Sequence, residues 1–321
     1  MADPYPPLGP AEPVAVIGAG AIGMFLAAAL ARAGHPLTVY GGRPIDRIEV
    51  TEGDRTDVFP VRHSADPAEA TAHRLAVVAV KAHHTDEASP WLRAAVHDAS
   101  TVLVAQNGIE HRERVAPYVG RAAVVPAIVY VPVERPAPGH AIVHRPADRD
   151  LTLPADPAAL AATERLAAGG IRVENAADFT TAAWRKVLTN MGSNPITTLT
   201  TRRTEVIRDP GVARYALRLL HEAAAVARAE GAAIGDDVPE TTVTWLWRLP
   251  DGSSTSMLQD RLSGNPLEHD ALTGAILRTA ARHHLDVPHI ESLHALLEAI
   301  SATATPHNST TPPKHTHPRT P

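Results

Sequence analysis

The chain has 321 residues, enough for two domains that each bury a core of their own. Its 44% hydrophobic and 20% charged residues are ordinary for a soluble globular protein, and a net charge of −5 gives no electrostatic reason to expect nucleic acid or an anionic membrane as partner. Cysteine is absent, which excludes disulfides, thiolate metal sites and a cysteine nucleophile, and no apolar run reaches the length that spans a bilayer.

The opening "MADPYPPLGPAEP" has no basic segment leading into an apolar one, so it does not read as a secretory signal, and a cytoplasmic location is expected. Residues 1–12 are proline-rich and are expected to be disordered. "VAVIG" then predicts a buried strand, "AIGMFLAAALARAG" a helix ending at Gly34, and "PLTVY" a second strand. "RLAVVAVK" (74–81) and "STVLVAQNG" (100–108) predict buried parallel strands. "AAVVPAIVYVPV" and "HAIVHRP" add strand-like sequence beyond a helix ending near Tyr118. Strand, helix, strand at this spacing predicts an α/β architecture, a Rossmann-type doubly wound parallel sheet over residues 13–177. From Phe179 onward only helical periodicity remains. Helices are predicted at 180–194, 205–230, 238–247, 254–263, 267–284 and 290–302, making an all-helical C-terminal domain over residues 178–303. Residues 304–321 are polar and aperiodic, and are expected to be a disordered tail. Its His307, His315 and His317 form no ordered ligand set, and His83 with His84 lacks a third ligand, so no metal site is expected.

Chemistry-bearing motifs fall in both halves. "GAGAIG" places Gly18, Gly20 and Gly23 in GxGxxG spacing directly after a strand and at the start of a helix, the context in which that pattern is informative. Gly18 allows a tight turn, Gly20 lets a pyrophosphate approach the backbone, and Gly23 lets helix and strand pack closely. With Ala19, Ala21 and Ile22, these residues offer backbone N–H groups at a positive helix end. After the second strand, "VYGGRP" has no acidic residue for a ribose 2′-hydroxyl, while Arg43 suits a 2′-phosphate, so NADP (NADPH) is the expected cofactor. Lys81 and Asn107 stand at the carboxyl ends of two predicted parallel strands, the edge where such sheets bind ligands. In "WRKVLTNMGSNP", Lys186, Asn190 and Asn194 are spaced four apart. In one helix each step turns about 40°, so the three polar heads would share an arc of about 80°, with Trp184, Leu188 and Met191 seating the other side. By itself that ridge reads equally as a solvated face.

Taken with "QNG" (106–108) and "SMLQDRLSGNPLEHD" (256–270), these motifs make the chain resemble the ketopantoate reductase (2-dehydropantoate 2-reductase) family, from about Pro13 to Ile300. The resemblance implies reduction of a small 2-oxo acid, 2-dehydropantoate, to pantoate with NADPH, in pantothenate and coenzyme A biosynthesis. It assigns Lys186 as general acid, and Asn107, Asn190, Asn194 and Ser256 as substrate-binding residues. Glu268 and Asn107 lie at the cofactor's reactive end, with Lys81 near the cofactor and Glu268 within reach of the general acid. Read locally, Ser256 also suits a helix cap, and Asn265, Pro266 and Glu268 suit Ncap, N1 and N3 of a capping box. The chain departs from the family pattern where Arg202 and Arg203 occupy the region of a further asparagine of some members, and where "LEHD" replaces the common "TEID". Reduction of another 2-oxo acid, an opine- or hydroxyacid-type dehydrogenase and a non-catalytic NADP-binding sensor stay open as alternatives. Oligomeric state is open too, with a homodimer compatible.

Overall fold

A computed structural model of the chain describes residues 12–145 and 148–304. Apart from Glu12 and Ala304, the two segments expected to be disordered, 1–12 and 304–321, lie outside the described residues. In chain order the strands are β1 (Val14–Ile17), β2 (Leu37–Tyr40), β3 (Arg47–Glu52), β4 (Arg55–Pro60), β5 (Arg62–Ser64), β6 (Leu75–Val78), β7 (Thr101–Val104), β8 (Ala123–Pro126), β9 (Ile128–Val129), β10 (Val133–Ala137), β11 (His140–Val143), β12 (Leu151–Pro154) and β13 (Val173–Ala176). Six of them form one parallel sheet in the order β5-β2-β1-β6-β7-β8, so the order reverses beside β1, with β2 on one side and β6 on the other. Such a reversal opens a crevice at the carboxyl ends of the strands. Its central strands β1, β2, β6 and β7 are buried along their whole length, which is why they read as continuous apolar runs.

Helices α1 (Ala21–Arg32), α2 (Ser89–Ala95), α3 (His111–Val115) and α4 (Pro157–Ala168) accompany this half. α1 and α4 close one apolar core with the inner face of the sheet, and α2 packs in a second core on the other face. Two smaller sheets differ from the single sheet read from sequence. One has the order β10-β11-β3-β4, and the other β13-β12-β9. "AAVVPAIVYVPV" is therefore not continuous strand: it divides at Pro126–Ala127, between β8 in the main sheet and β9 pairing antiparallel with β12. Pro126 has no N–H with which to extend a ladder.

From Phe179 the chain is helical: α5 (Phe179–Met191), α6 (Asn194–Thr200), a 3-10 turn (Thr204–Arg208), α7 (Pro210–Ala229), α8 (Val238–Trp247), α9 (Ser256–Leu262), a π-helical turn (Asp270–Gly274) running into α10 (Ala275–Arg282), and α11 (Pro288–Ala302). α7 starts where Asp209 accepts hydrogen bonds from the N–H groups of Gly211 and Val212, with Pro210 in its first turn. α5 is capped by Asp178, whose carboxylate accepts from Thr181 N at 2.9 Å, and it is seated by Trp184, Leu188 and Met191, each 2% exposed or less. Emptying a buried tryptophan site of that kind costs about 3–5 kcal/mol. No helix among the described residues is long and apolar enough to cross a membrane.

One expectation fails in an informative way. The helix predicted over 180–194 stops at Met191, three residues before the point where Pro195 would disturb it, and Asn194 opens α6. The backbone leaves helical geometry at Ser193 (φ −127°, ψ −57°), and a Cβ at the preceding Gly192 would lie 2.9 Å from Leu246 Cδ1 of α8, so the turn is packed closely on that helix. Lys186, Asn190 and Asn194 thus come from two helices rather than one ridge.

Candidate active site

The glycine turn after β1 adopts the geometry its residues suggest. Gly18 has φ +100°, and a Cβ there would stand 2.5 Å from Val80 N. A Cβ on Gly23 would meet Gly18 O at 1.9 Å, the close packing of helix on strand that only glycine allows. At Gly20 the nearest atom to such a Cβ is Ala79 O at 3.9 Å, so the backbone there borders open space. α1 has no side-chain cap and no acidic residue in its first turn. Its leading N–H groups, at Ala21, Ile22 and Gly23, remain as donors at the positive end of a twelve-residue helix, a fit for a dinucleotide pyrophosphate. Arg43 is exposed just beyond the Gly41–Gly42 turn that follows β2, with both glycines at φ +71°.

Lys81, past the end of β6, is bound by carboxylates from the helical half. Its Nζ donates to Asp260 Oδ2 at 2.8 Å and to Glu268 Oε2 at 3.0 Å. Glu268 is 7% exposed, and its other oxygen accepts from Ala82 N at 3.0 Å, while Asn107 Nδ2 donates to Oε2 at 3.0 Å. The capping box is not formed: Asn265 N bonds Asp260 O, and the helix begins only after Glu268. Glu268 is therefore free to spend both oxygens across the cleft. Burial penalises its charge, but the Lys81 ammonium and the Ala82 and Asn107 donors prevail and hold its carboxyl below the usual range. At Asp260 burial prevails, with the Glu268 charge adding to it, and its carboxyl is pushed up despite Lys81. Burial likewise opposes the charge of Lys81, and the two carboxylates more than offset it, raising its pKa.

Lys186 is surrounded differently. Among the described residues no carboxylate pairs with it. Its Nζ lies 5.2 Å from the centroid of the Tyr130 ring, and burial alone lowers its pKa from 10.5 to about 8. Glu268 makes its hydrogen bonds to Lys81, Ala82 and Asn107, with none to Lys186. A narrow cleft is lined by Asn107, Asn190, Asn194, Ser256, Asp260 and Glu268, with Met257 and Leu272 as its apolar wall; Lys186 is not among these lining residues but lies one helical turn before Asn190. Asn194 reaches the same cleft as Asn190 although it belongs to another helix. Ser256 is exposed in the first turn of α9, whose cap is Thr255, accepting from Leu258 N at 3.3 Å. The serine hydroxyl is thus not used as the cap.

A second clasp joins the halves beside the cleft. Arg278 of α10 donates to Glu110 at 2.8 and 2.7 Å and to Asp270 at 2.7 Å, while Arg114 Nη1 donates to Asn107 O at 3.0 Å. Gly108 has φ +101°, and a Cβ there would stand 2.3 Å from Ala271 O in the π-helical turn. Asp260 and Tyr130 are the residues of the site that motif reading misses. Asp260 could have been found, since it falls four residues after Ser256 on the same helix face. Nothing local distinguishes Tyr130 within an apolar run.

Residues 14–155 match the family model described as ketopantoate reductase PanE/ApbA, and residues 178–301 match its C-terminal counterpart. A 2-dehydropantoate 2-reductase of Mycobacterium tuberculosis is 38% identical over 290 residues, covering 90% of this chain and 97% of the relative. The chain belongs to the ketopantoate reductase family. Among solved structures, a ketopantoate reductase of this family from Ralstonia eutropha superposes with a TM-score of 0.81 at 29% identity, over 90% of this chain and 98% of that one. A dimeric ketopantoate reductase from Staphylococcus aureus gives 0.80 at 25% identity, over 91% and 99%. Like its family, the protein is an oxidoreductase that works with a nicotinamide cofactor.

Proposed function

We propose that this protein reduces the C2 ketone of 2-dehydropantoate to give pantoate, using NADPH, with Lys186 as the proton donor. The observation that carries this reading is the Lys186 ammonium beside the Tyr130 ring with no carboxylate partner among the described residues; desolvation lowers its pKa to about 8, which leaves it charged at neutral pH yet able to release its proton. Residues 13–177 serve as the cofactor half and 178–303 as the substrate half, with the reaction in the cleft between them. NADPH, when bound, supplies the hydride. The chain's own residues do the rest. The glycine turn, with the N–H groups of Ala21, Ile22 and Gly23, receives the pyrophosphate. Arg43, exposed after β2 where an acid would favour NAD, pairs with the 2′-phosphate.

As negative charge builds on the ketone oxygen, Lys186 stabilises it and then delivers a proton from Nζ. Asn190 and Asn194 can each donate and accept, which suits an acid bearing both a hydroxyl and a ketone, and Ser256 offers its hydroxyl to the carboxylate. Glu268, held by Lys81 and Ala82, orients Asn107 at the reacting end. The copies of the chain pair as a homodimer in the cytoplasm, in keeping with the dimeric relative from Staphylococcus aureus.

The test is oxidation of NADPH and of NADH in the presence of 2-dehydropantoate and a panel of other 2-oxo acids. Fast turnover of 2-dehydropantoate with NADPH is the expected result. Turnover only with a different 2-oxo acid would move the substrate assignment, and tight NADPH binding without turnover on any acid would overturn the enzymatic reading.

A further inference from the structure

Lys186 is half-buried and has no anionic partner among the described residues, so its ammonium still needs something to hold it. Tyr130 follows β9, which lies against α5, and its N–H donates to Asp150 O at 2.9 Å, fixing the backbone beneath the ring. The ring centroid is 5.2 Å from Lys186 Nζ, within the range at which the negative face of an aromatic ring attracts an ammonium. Arg149 approaches the same ring at 4.9 Å, and Glu174 neutralises it.

The elements packed on α5 bring no other charge to bear on Lys186. Asp270 is engaged with Arg278, Glu222 with His289 and Glu240 with His221, and Arg214, Arg218 and Arg228 lie on the exposed side of α7. Lys81 shows what a carboxylate does in this molecule: it fastens the proton more tightly. A carboxylate beside Lys186 would also repel an anionic substrate and the oxyanion formed from it. An aromatic face anchors the ammonium and adds no net charge.

We propose that Tyr130 is a positioning residue for the reaction, its ring face holding the Lys186 ammonium in place of a carboxylate. This rests on the reading of Lys186 as proton donor. A ring contact of this kind raises an ammonium pKa by roughly half a unit to one unit over an apolar neighbour of similar size. Its removal lowers the pH at which Lys186 loses its proton, without opening the site to water if the replacement fills the space.

The experiment compares Tyr130→Phe, Tyr130→Leu and a chain carrying 3,4,5-trifluorophenylalanine at position 130. The fluorinated ring keeps the shape of phenylalanine and weakens the negative face. Two readouts are taken: the NMR titration of Lys186 without ligands, and the high-pH limb of kcat with saturating NADPH and 2-oxo acid. The expected result is a Lys186 titration near the wild-type position in Tyr130→Phe. It moves down by about half a unit to one unit in Tyr130→Leu and in the same direction with the fluorinated ring, and the kcat limb follows. A titration that fluorination leaves in place overturns the inference even if Tyr130→Leu fails to fold. So does a Tyr130→Phe shift as large as that of Tyr130→Leu, which would assign the effect to the hydroxyl. Lys186→Ala separates the two levels. If it keeps wild-type kcat, the donor reading fails and takes this inference with it. If it is inactive while the titrations stay fixed, only the role of Tyr130 is lost.

Discussion

Two lysines adjoin residues that line the cleft, Lys81 through Asp260 and Glu268 and Lys186 one helical turn before Asn190, and their surroundings are opposites. Lys81, on the sheet side, is bracketed by Asp260 and Glu268 at 2.8 and 3.0 Å. Lys186, on the helical side, has an aromatic ring and no carboxylate partner among the described residues. The first holds its proton more firmly than a lysine in water, and the second less firmly. The contrast assigns labour. A proton that must leave belongs on the group that burial has loosened, and a charge that must stay belongs on the group that carboxylates have fixed. Lys81 thereby joins the two halves of the molecule and binds Glu268, which in turn holds Asn107, while in the proposed mechanism Lys186 does the chemistry.

The most severe test of that division is the loss of each amine in turn. Lys186→Ala is expected to lower kcat by at least about a hundredfold, whereas Lys81→Met should retain proton transfer and act mainly through cofactor and substrate binding. Steady-state kinetics on both variants decides it, and equal losses in kcat would erase the distinction.

Stability should respond with opposite signs. The folded state lowers the Lys186 pKa from 10.5 to about 8, so its charged form opposes folding. That penalty is fully present below about pH 8 and fades as pH rises toward 10.5, because the unfolded chain binds more protons across this window. Lys186→Met is therefore expected to stabilise the protein at pH 7 by about 2–3 kcal/mol in urea unfolding, while abolishing activity. An unchanged or lowered midpoint would show that the lysine is less desolvated than its surroundings imply.

For Lys81 the folded pKa is raised, so its contribution is fully present below its ordinary value of 10.5 and is lost only at higher pH. Removing one partner of a well-buried pair costs several kcal/mol, but the Lys81 side chain is 40% exposed and water can take its place. Lys81→Met should then destabilise the fold by about 1–2 kcal/mol. It should also raise the Glu268 pKa, moving the low-pH limb of kcat/KM upward. The smallest effect is expected from the second clasp. Arg278 is 46% exposed, and Arg278→Ala should cost about 1 kcal/mol or less, with that loss shrinking further in high salt.

What could be read in advance divides along the same line. The glycine turn and the buried parallel strands were legible because each lies in a local pattern with a physical cause, whereas Lys186, Asn190 and Glu268 were singled out through the family resemblance, and the capping box that Glu268 suggests locally does not form. Partnership across the cleft was not legible. Lys81 and Glu268 are 187 residues apart, and no period within either half encodes their contact. Asn194 lines the same cleft as Asn190 but from a second helix, because the backbone turns at Ser193, a break that the four-residue spacing does not show. The β3–β4 hairpin went unread although "TEGDRT" carries a Gly-Asp turn between β-branched residues, a signal that was available.

Gly108 sets a dimension of the molecule. At this point the two halves of the molecule meet backbone to backbone, with room for nothing between them: a single methyl group would sit 2.3 Å from Ala271 O, where ordinary contact needs 3.4–4 Å. The missing side chain acts as a shim of zero thickness. A shortfall of about 1 Å at that seam would be levered outward along the cleft, widening the gap that Asn107 and Glu268 now span with one hydrogen bond of 3.0 Å. The bore of the cleft is thus set by a residue that is not part of its lining.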